Sequence, residues 1–192
     1  LPTDIQPEID DATNNEKAER AAVLKYNGFY IARYETGNEN SKPVSKQNVA
    51  VYTDKIQTEF KTIGKDMYGD NSNYVKSAMC SGIQWDMVMK FVDGKTDGKE
   101  STYDVRTYDP DRHTGRKTEA GKNLSDKVQN IYDLEGNCWE FVAEKNNTDT
   151  SNPFVIRGGF FVNDRGLRAS RRLSINGASC SYYTFRSALY IK

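Results

Sequence analysis

The sequence predicts an α+β domain of short irregular antiparallel strands, two main helices and long loops. Three observations predict it. Apolar side chains recur at helical spacing over two sizeable stretches, the aromatic and β-branched runs are short, and Gly, Asn and Pro separate them. At 192 residues the chain suits one domain with ornamented loops better than two.

In chain order, residues 1–12 are acidic and Pro-containing, and read as a linker from an upstream region; the single domain is expected over 13–192. Thr13-Asn14-Asn15-Glu16 has the form of a capping box ahead of Ala18, Ala21, Ala22 and Leu24, a short helix with a narrow apolar face. The aromatic-rich run Phe29–Glu35, bracketed by Gly28 and Gly37, predicts a strand. Ile56, Phe60, Ile63 and Met67 share one helical face, on a helix expected to start near Thr53-Asp54 and end before Gly69. Ser81 and Gln84 cap a second helix carrying Ile83, Met87, Val88, Phe91 and Val92, with Gly94 beyond its end. Residues 93–127, polar and turn-rich, read as a surface excursion. The remaining β-like segments are 131–134, 138–143, 154–156 and 183–191.

Composition excludes several functions. Lys+Arg and Asp+Glu are both 27, so no net field draws the chain to nucleic acid or acidic lipid. No apolar run reaches the roughly 18–20 residues of a membrane-inserted span, and Leu-Pro-Thr-Asp at the start lacks the pattern of a signal peptide. Cys80, Cys138 and Cys180 are odd in number and widely spaced, which reads as three reduced thiols rather than a disulfide framework or zinc site. The one histidine, His113, lies in the turn-rich run Asp109–Gly115 and reads as solvent-exposed; Asp109 and Asp111 beside Arg112 and Arg116 read as a solvated charge cluster.

Three stretches carry a family resemblance: Phe29–Glu35; Asn130–Phe141, which contains Gly136-Asn137-Cys138-Trp139-Glu140; and Val155–Phe161, which contains Arg157-Gly158-Gly159, with Phe185-Arg186 closing the chain. In order and spacing they resemble the formylglycine-generating-enzyme (sulfatase-modifying-factor) domain, which implies a C-type-lectin-like fold from about residue 26 onward. The residues support the motifs independently. Trp139 and Phe141 alternate with Glu140, so the aromatics share one strand face and the carboxylate takes the other. Gly158 and Gly159 permit a turn or close approach that a Cβ would block. More narrowly, Met79–Asp86, the Asn130–Glu140 motif and the Ser170–Ala188 tail together resemble lectin-fold prophage proteins, some of them variable proteins of diversity-generating retroelements, whose C-terminal stretch is rewritten by adenine-directed mutation.

The resemblance also provides a test for catalysis. The oxidase members carry two reactive cysteines shortly after the Gly-Gly turn, whereas Phe160–Arg168 contains none, and one distant thiol, Cys180, is a poor copper(I) site. The stretch 160–184 instead mixes aromatics, long cations (Arg165, Arg168, Arg171) and small polar residues, a paratope-like blend. The expected ligand-contact residues are Phe160, Phe161, Asn163, Asp164, Arg165, Leu167, Arg171, Leu173, Ile175, Asn176, Cys180, Ser181, Tyr182 and Tyr183, held by a frame of Arg157-Gly158-Gly159, Arg172 and Phe185-Arg186. An irregular loop packed on itself is the plainer alternative for the same stretch.

The resemblance implies a non-catalytic binding protein of a phage or prophage. Its partner would be a bacterial surface protein or glycan, its location the virion tail or, before assembly, the bacterial cytoplasm, and its upstream region a route to a homo-oligomer. A structural tail or fibre module is a further reading. No cofactor is required. Family enzymes hold calcium near Gly-Asn-x-Trp-Glu, which here would involve Asn137, the Cys138 carbonyl and Glu140; the alternative is that Glu140 accepts backbone hydrogen bonds or pairs with an arginine.

Overall fold

A computed structural model describes residues 17, 21, 24, 25, 28–68, 74–96, 98, 103–162 and 166–191. The elements run β1 (Tyr30–Ile31), β2 (Gly37–Glu39), β3 (Lys42–Val44), α1 (Gln57–Asp66), β4 (Val75–Met79), α2 (Gly82–Val92), β5 (Trp139–Lys145), β6 (Phe154–Arg157), β7 (Arg172–Ile175), β8 (Tyr183–Phe185) and β9 (Ser187–Ile191), with 3-10 turns at Pro110–Arg112 and Leu124–Asp126. The architecture is mixed α+β.

Two sheets and a hairpin organise it. β9 lies between β1 and β4, so the C-terminal strand closes against the first. β2 and β3 form the hairpin. The third group, ordered β7-β6-β5-β8, is antiparallel except where β5 and β8 run parallel, a pairing the expectation of antiparallel strands missed. Beyond β8, Arg186 is the single residue before β9, so the chain passes from one sheet to the other without a turn.

α2 begins where its caps predict: the Ser81 hydroxyl accepts from the Gln84 amide at 3.2 Å and Gln84 Oε1 accepts from the Ser81 amide at 2.8 Å. Its buried face, however, is Trp85, Val88, Met89 and Val92, while Phe91 is exposed. Trp85, whose indole N–H donates to the Ala169 carbonyl at 3.2 Å, turns the helix by about one position from the predicted stripe. α1 starts at Gln57, not near Thr53-Asp54, because Asp54 adopts a left-handed φ of 64° and Glu59 satisfies the Ile56 amide at 3.1 Å. Phe60 is fully buried on its inner face and Ile56 is exposed.

Other expectations need correction. Of 29–35, only Tyr30–Ile31 is strand; the rest leaves the sheet so that Glu35 can enter the interior. The 131–134 segment makes a single bridge, Val128 to Ile131, and then a loop. The 93–127 excursion is part of the core: Tyr103, Val105, Ala120 and Asp126 are buried, and Tyr103 and Val105 pack with Trp85 and Leu134. The Thr13–Glu16 capping box lies outside the described residues; Ala21 and Leu24 are helical and exposed, so these two give the expected apolar face no buried contact. All three cysteines are free thiols, Cys80 and Cys138 buried and Cys180 half-buried.

Candidate functional site

Beneath the candidate surface lies an ionic frame. The Arg186 guanidinium, fully buried, meets both Glu140 oxygens at 2.5 and 3.1 Å and donates to the carbonyls of Ala32 (3.0 Å) and Tyr132 (2.8 Å). Glu35, buried beside it, accepts from the Asn137 amide group at 2.5 Å and the Cys138 N–H at 2.9 Å. Burial, with Asp133 and Glu140 nearby, pushes Glu35 well above the usual carboxylate range. Asn137 Oδ1 in turn accepts from the Thr118 amide at 2.8 Å. The Glu140 carboxylate is committed to Arg186 and Asn137 to Thr118 and Glu35, so this donor set does not fit a calcium ion. Among the described residues no group of three or more His, Cys, Asp or Glu is placed to hold a metal.

On this frame the aromatics of 160–184 join the interior to the surface. Phe60 contacts Phe185 and Phe141 at centroid distances of 5.3 and 6.1 Å, Phe141 contacts Tyr183 at 5.3 Å, and Tyr183 contacts Tyr182 at 5.0 Å. Tyr182 stacks on Phe160 at 4.9 Å, and Phe160 stacks on Trp139 at 6.2 Å and meets Phe161 edge-on at 5.2 Å. Phe160, Phe161, Tyr182 and Tyr183 are each half-buried, with one side packed and the other open. Leu173 and Ile175 on β7 are also half-buried and pack against the same cluster. Asn176 and Ser181 are exposed, and Arg171 and Cys180 are half-buried. The neighbouring Cys180 thiol pushes the Tyr182 hydroxyl up to about 12, so it stays protonated at neutral pH.

The segment is tethered by its main chain. The Phe160 carbonyl meets His113 Nδ1 at 2.7 Å, and the Phe161 N–H donates to the Asn137 carbonyl while its own carbonyl accepts from Gly115. Further along, the carbonyls of Gly177, Cys180 and Tyr182 accept from the N–H groups of Gln57, Asp54 and Trp139, and that of Ser181 from Lys117 Nζ at 2.6 Å. None of these bonds depends on which side chain the segment carries there.

Two sequence expectations change. Leu167 is buried, 7% exposed, with its Cβ against Gly159, where an added Cβ would come within 2.9 Å of it; it belongs to the frame. His113 is buried rather than exposed: Nε2 faces Glu135 Oε1 at 3.3 Å, and its ring stacks on Tyr108 at 4.8 Å. Burial pulls its pKa down, but the bonds to Glu135 and the Phe160 carbonyl outweigh this and raise it above the ordinary histidine value. Asn163, Asp164 and Arg165 lie outside the described residues. Arg172 is partly exposed and pairs with Glu144, which also binds Arg157 at 3.0 Å. His113 and Lys117, two of the side chains that hold the segment from outside it, carry no signal in the sequence beyond their lone placement among turns.

The fold and this surface define a mixed α+β domain that presents a half-exposed aromatic patch on a backbone-tethered segment. No protein-family model and no curated protein matches the chain. Among solved structures it is similar to Treponema denticola variable protein 1, at 19% identity over 86% of this chain and 64% of that one with a TM-score of 0.41, and to CarF, at 14% identity over 92% and 82% with a TM-score of 0.47. The chain therefore spans just under two thirds of the Treponema protein's length.

Proposed function

We propose that the chain is a non-catalytic binding domain of the C-type-lectin-like type, related to diversity-generating-retroelement variable proteins of phages or prophages, and that 160–184 is its changeable ligand-contact surface. The observation that carries this reading is the division of labour at 160–161 and 177–183: main-chain groups make the structural bonds, and the side chains of Phe160, Phe161, Tyr182 and Tyr183 are half-exposed. Such a segment tolerates altered side chains while keeping its course, and rigid aromatics offer contact area at small entropic cost. The partner is a bacterial surface protein or glycan, the setting a phage tail or the producing cell, and a region upstream of the 1–12 linker the route to a homo-oligomer. An oxidase of the formylglycine type is disfavoured because Phe160–Arg168 has no cysteine.

Binding of the purified protein to arrayed bacterial surface proteins and glycans tests the reading. Changing Tyr182, Tyr183 and Arg171 together should abolish binding while far-UV circular dichroism stays native; unaltered binding would point to a structural module instead. In the encoding genome, a neighbouring reverse transcriptase and a template repeat matching the 3′ end are expected, and their absence removes the retroelement element. Millimolar calcium should leave the melting temperature unmoved, since the oxygens it would need are already bonded.

A further inference from the structure

His113 is the only histidine of the chain, and it sits where the contact segment 160–184 begins. Its side chain is fully buried, and Tyr108 stacks on the ring at 4.8 Å. Both ring nitrogens face oxygen acceptors: Nδ1 meets the Phe160 carbonyl at 2.7 Å and Nε2 meets Glu135 Oε1 at 3.3 Å. A neutral imidazole carries one N–H and one lone pair, so it can satisfy only one of these two oxygens. The imidazolium, with two N–H groups, satisfies both. The main chain of Leu167 favours the charged ring as well, so one side chain draws on both ends of the 160–167 stretch.

Gly136, at a φ of 90°, lets the Arg112–His113 main chain approach closer than a Cβ would allow. Two main-chain bonds flank the ring, from the Gly115 N–H to the Phe161 carbonyl at 2.8 Å and from the Phe161 N–H to the Asn137 carbonyl at 3.1 Å. Of the described ionisable groups on the elements packed around His113, Glu135 is the one that opposes a ring nitrogen. Arg112 is paired with Asp109 at 3.0 Å, Asp111 is exposed, Asp133 accepts from the Gly121 amide at 2.6 Å, and the described residues of 158–167 carry no ionisable side chain. Asp164 and Arg165, of opposite charge, lie outside the described residues. Burial resists the charged ring, but the bonds to Glu135 and to the Phe160 carbonyl reverse that and hold the proton more tightly than an ordinary histidine does. When a proton leaves, the remaining N–H stays on the side of the carboxylate, because hydrogen bonds to an ionised acceptor are the stronger kind. A lone pair then faces the Phe160 carbonyl.

We propose that His113 is a proton-operated clamp on the contact segment: the imidazolium pins Phe160 at the base of 160–167, and loss of its Nδ1 proton to water frees that base. Acidity then sets how rigidly the surface is presented, since Phe160 carries the stack with Tyr182 and Trp139, and a less pre-organised surface binds less tightly. As regulation of the contact surface the clamp rests on the function proposed above. It is measurable with no ligand present, so failure of the clamp and failure of the binding function are separate results.

Nitrogen-15 and carbon-13 NMR of the whole protein from roughly pH 5 to 9 tests it, and with a single histidine the ring signals identify themselves. Near pH 6 both ring nitrogens should carry protons, and the ring should titrate with a midpoint above about 6.5, the ordinary histidine value. The Phe160 carbonyl carbon and the Phe161 amide should shift with that same midpoint. Exchange protection of the Phe161 amide, corrected for its intrinsic rate, should fall about tenfold or more above it, as for the loss of one charge-assisted bond. This titration decides the matter without any variant having to fold. His113→Gln, which cannot titrate, should remove the pH response of both reporters. Glu135→Gln should lower the ring's midpoint by about one pH unit or more, and Asp164→Asn should leave it in place. A neutral ring near pH 6, a midpoint below about 6.5, reporters that do not follow the ring, a response that survives in His113→Gln, or a midpoint set by Asp164 in place of Glu135 would each overturn the assignment.

Discussion

The ionic frame around Arg186 and the aromatic segment at 160–184 contact the same strands and are built on opposite plans. In the frame, side chains hold the structure: Arg186, Glu140, Glu35 and Asn137 are buried and bonded atom to atom. At 160–161 and 177–183 of the segment the main chain does so, and Phe160, Phe161, Tyr182 and Tyr183 are each only half-buried. A side chain that supplies the only partner of another buried group cannot be exchanged, whereas one that projects from a tethered backbone can. The contrast separates side chains on which other buried groups depend from side chains that project from a bonded backbone.

The largest expected effect is in the frame. Arg186→Met removes the partner of the buried Glu140 carboxylate and of the Ala32, Tyr132 and Asp133 carbonyls, and should cost about 3–5 kcal/mol, the usual result of stranding one member of a buried pair. Urea denaturation measures it. A loss under about 1 kcal/mol would mean that the frame is no more demanding than the surface, and the contrast would fail.

A sharper test lies within the segment itself. Leu167→Ala should behave as a core truncation and cost about 2–5 kcal/mol, because Leu167 packs on Gly159 inside the cluster that holds Phe141 and Phe185. Tyr182→Ser, in the same segment and larger in volume change, should cost about 1 kcal/mol, since one side of the ring is already in water. Equal effects in thermal denaturation would erase the distinction between frame and display at these two positions.

How much of this was legible in the sequence follows the same divide. The Ser81–Gln84 cap and the alternation of Trp139, Glu140 and Phe141 could be read because they depend on neighbours a few residues apart. The core role of Tyr103, Val105 and Asp126 could not, because isolated apolar residues among charged ones show no period, and their partners lie on α2 and in 128–134. β7 was hidden for a related reason: Arg172-Leu173-Ser174-Ile175 is a four-residue alternation, too short to stand out from a loop until Phe154–Arg157 pairs with it. The parallel contact of β5 with β8 is a matter of topology that no local pattern encodes. Of the site, the aromatic composition was visible, while the backbone tethers from His113, Lys117 and Gln57 were not, since main-chain bonding leaves no trace in residue type.

Acidity gives a further test on the frame side. Burial, reinforced by Asp133, pushes Asp126 up to about 8, against roughly 3.9 for an unfolded aspartate. A carboxyl group that holds its proton more tightly when folded favours the folded state at low pH, and that advantage fades as pH rises from about 4 through about 8. His113, also raised, acts in the same direction: its contribution is full below about 6.5 and lost above its folded value. The melting temperature should therefore fall between pH 6 and 9, and Asp126→Asn should flatten that fall. A wild-type profile that rises over this range would contradict the placement of both groups.

The smallest expected effect is the most direct measure of replaceability. Ser181 is exposed and its carbonyl, not its hydroxyl, receives Lys117. Ser181→Tyr should leave stability within about 0.5 kcal/mol of the starting protein, as for a surface position away from special contacts, although it adds a large aromatic beside Tyr182. Its consequence should appear instead in which ligands bind, since a new ring beside the Phe160–Tyr182 stack alters the contact surface and not the backbone beneath it. A destabilisation of 2 kcal/mol or more, on the order of a core truncation, would show that the side chain is part of the tether.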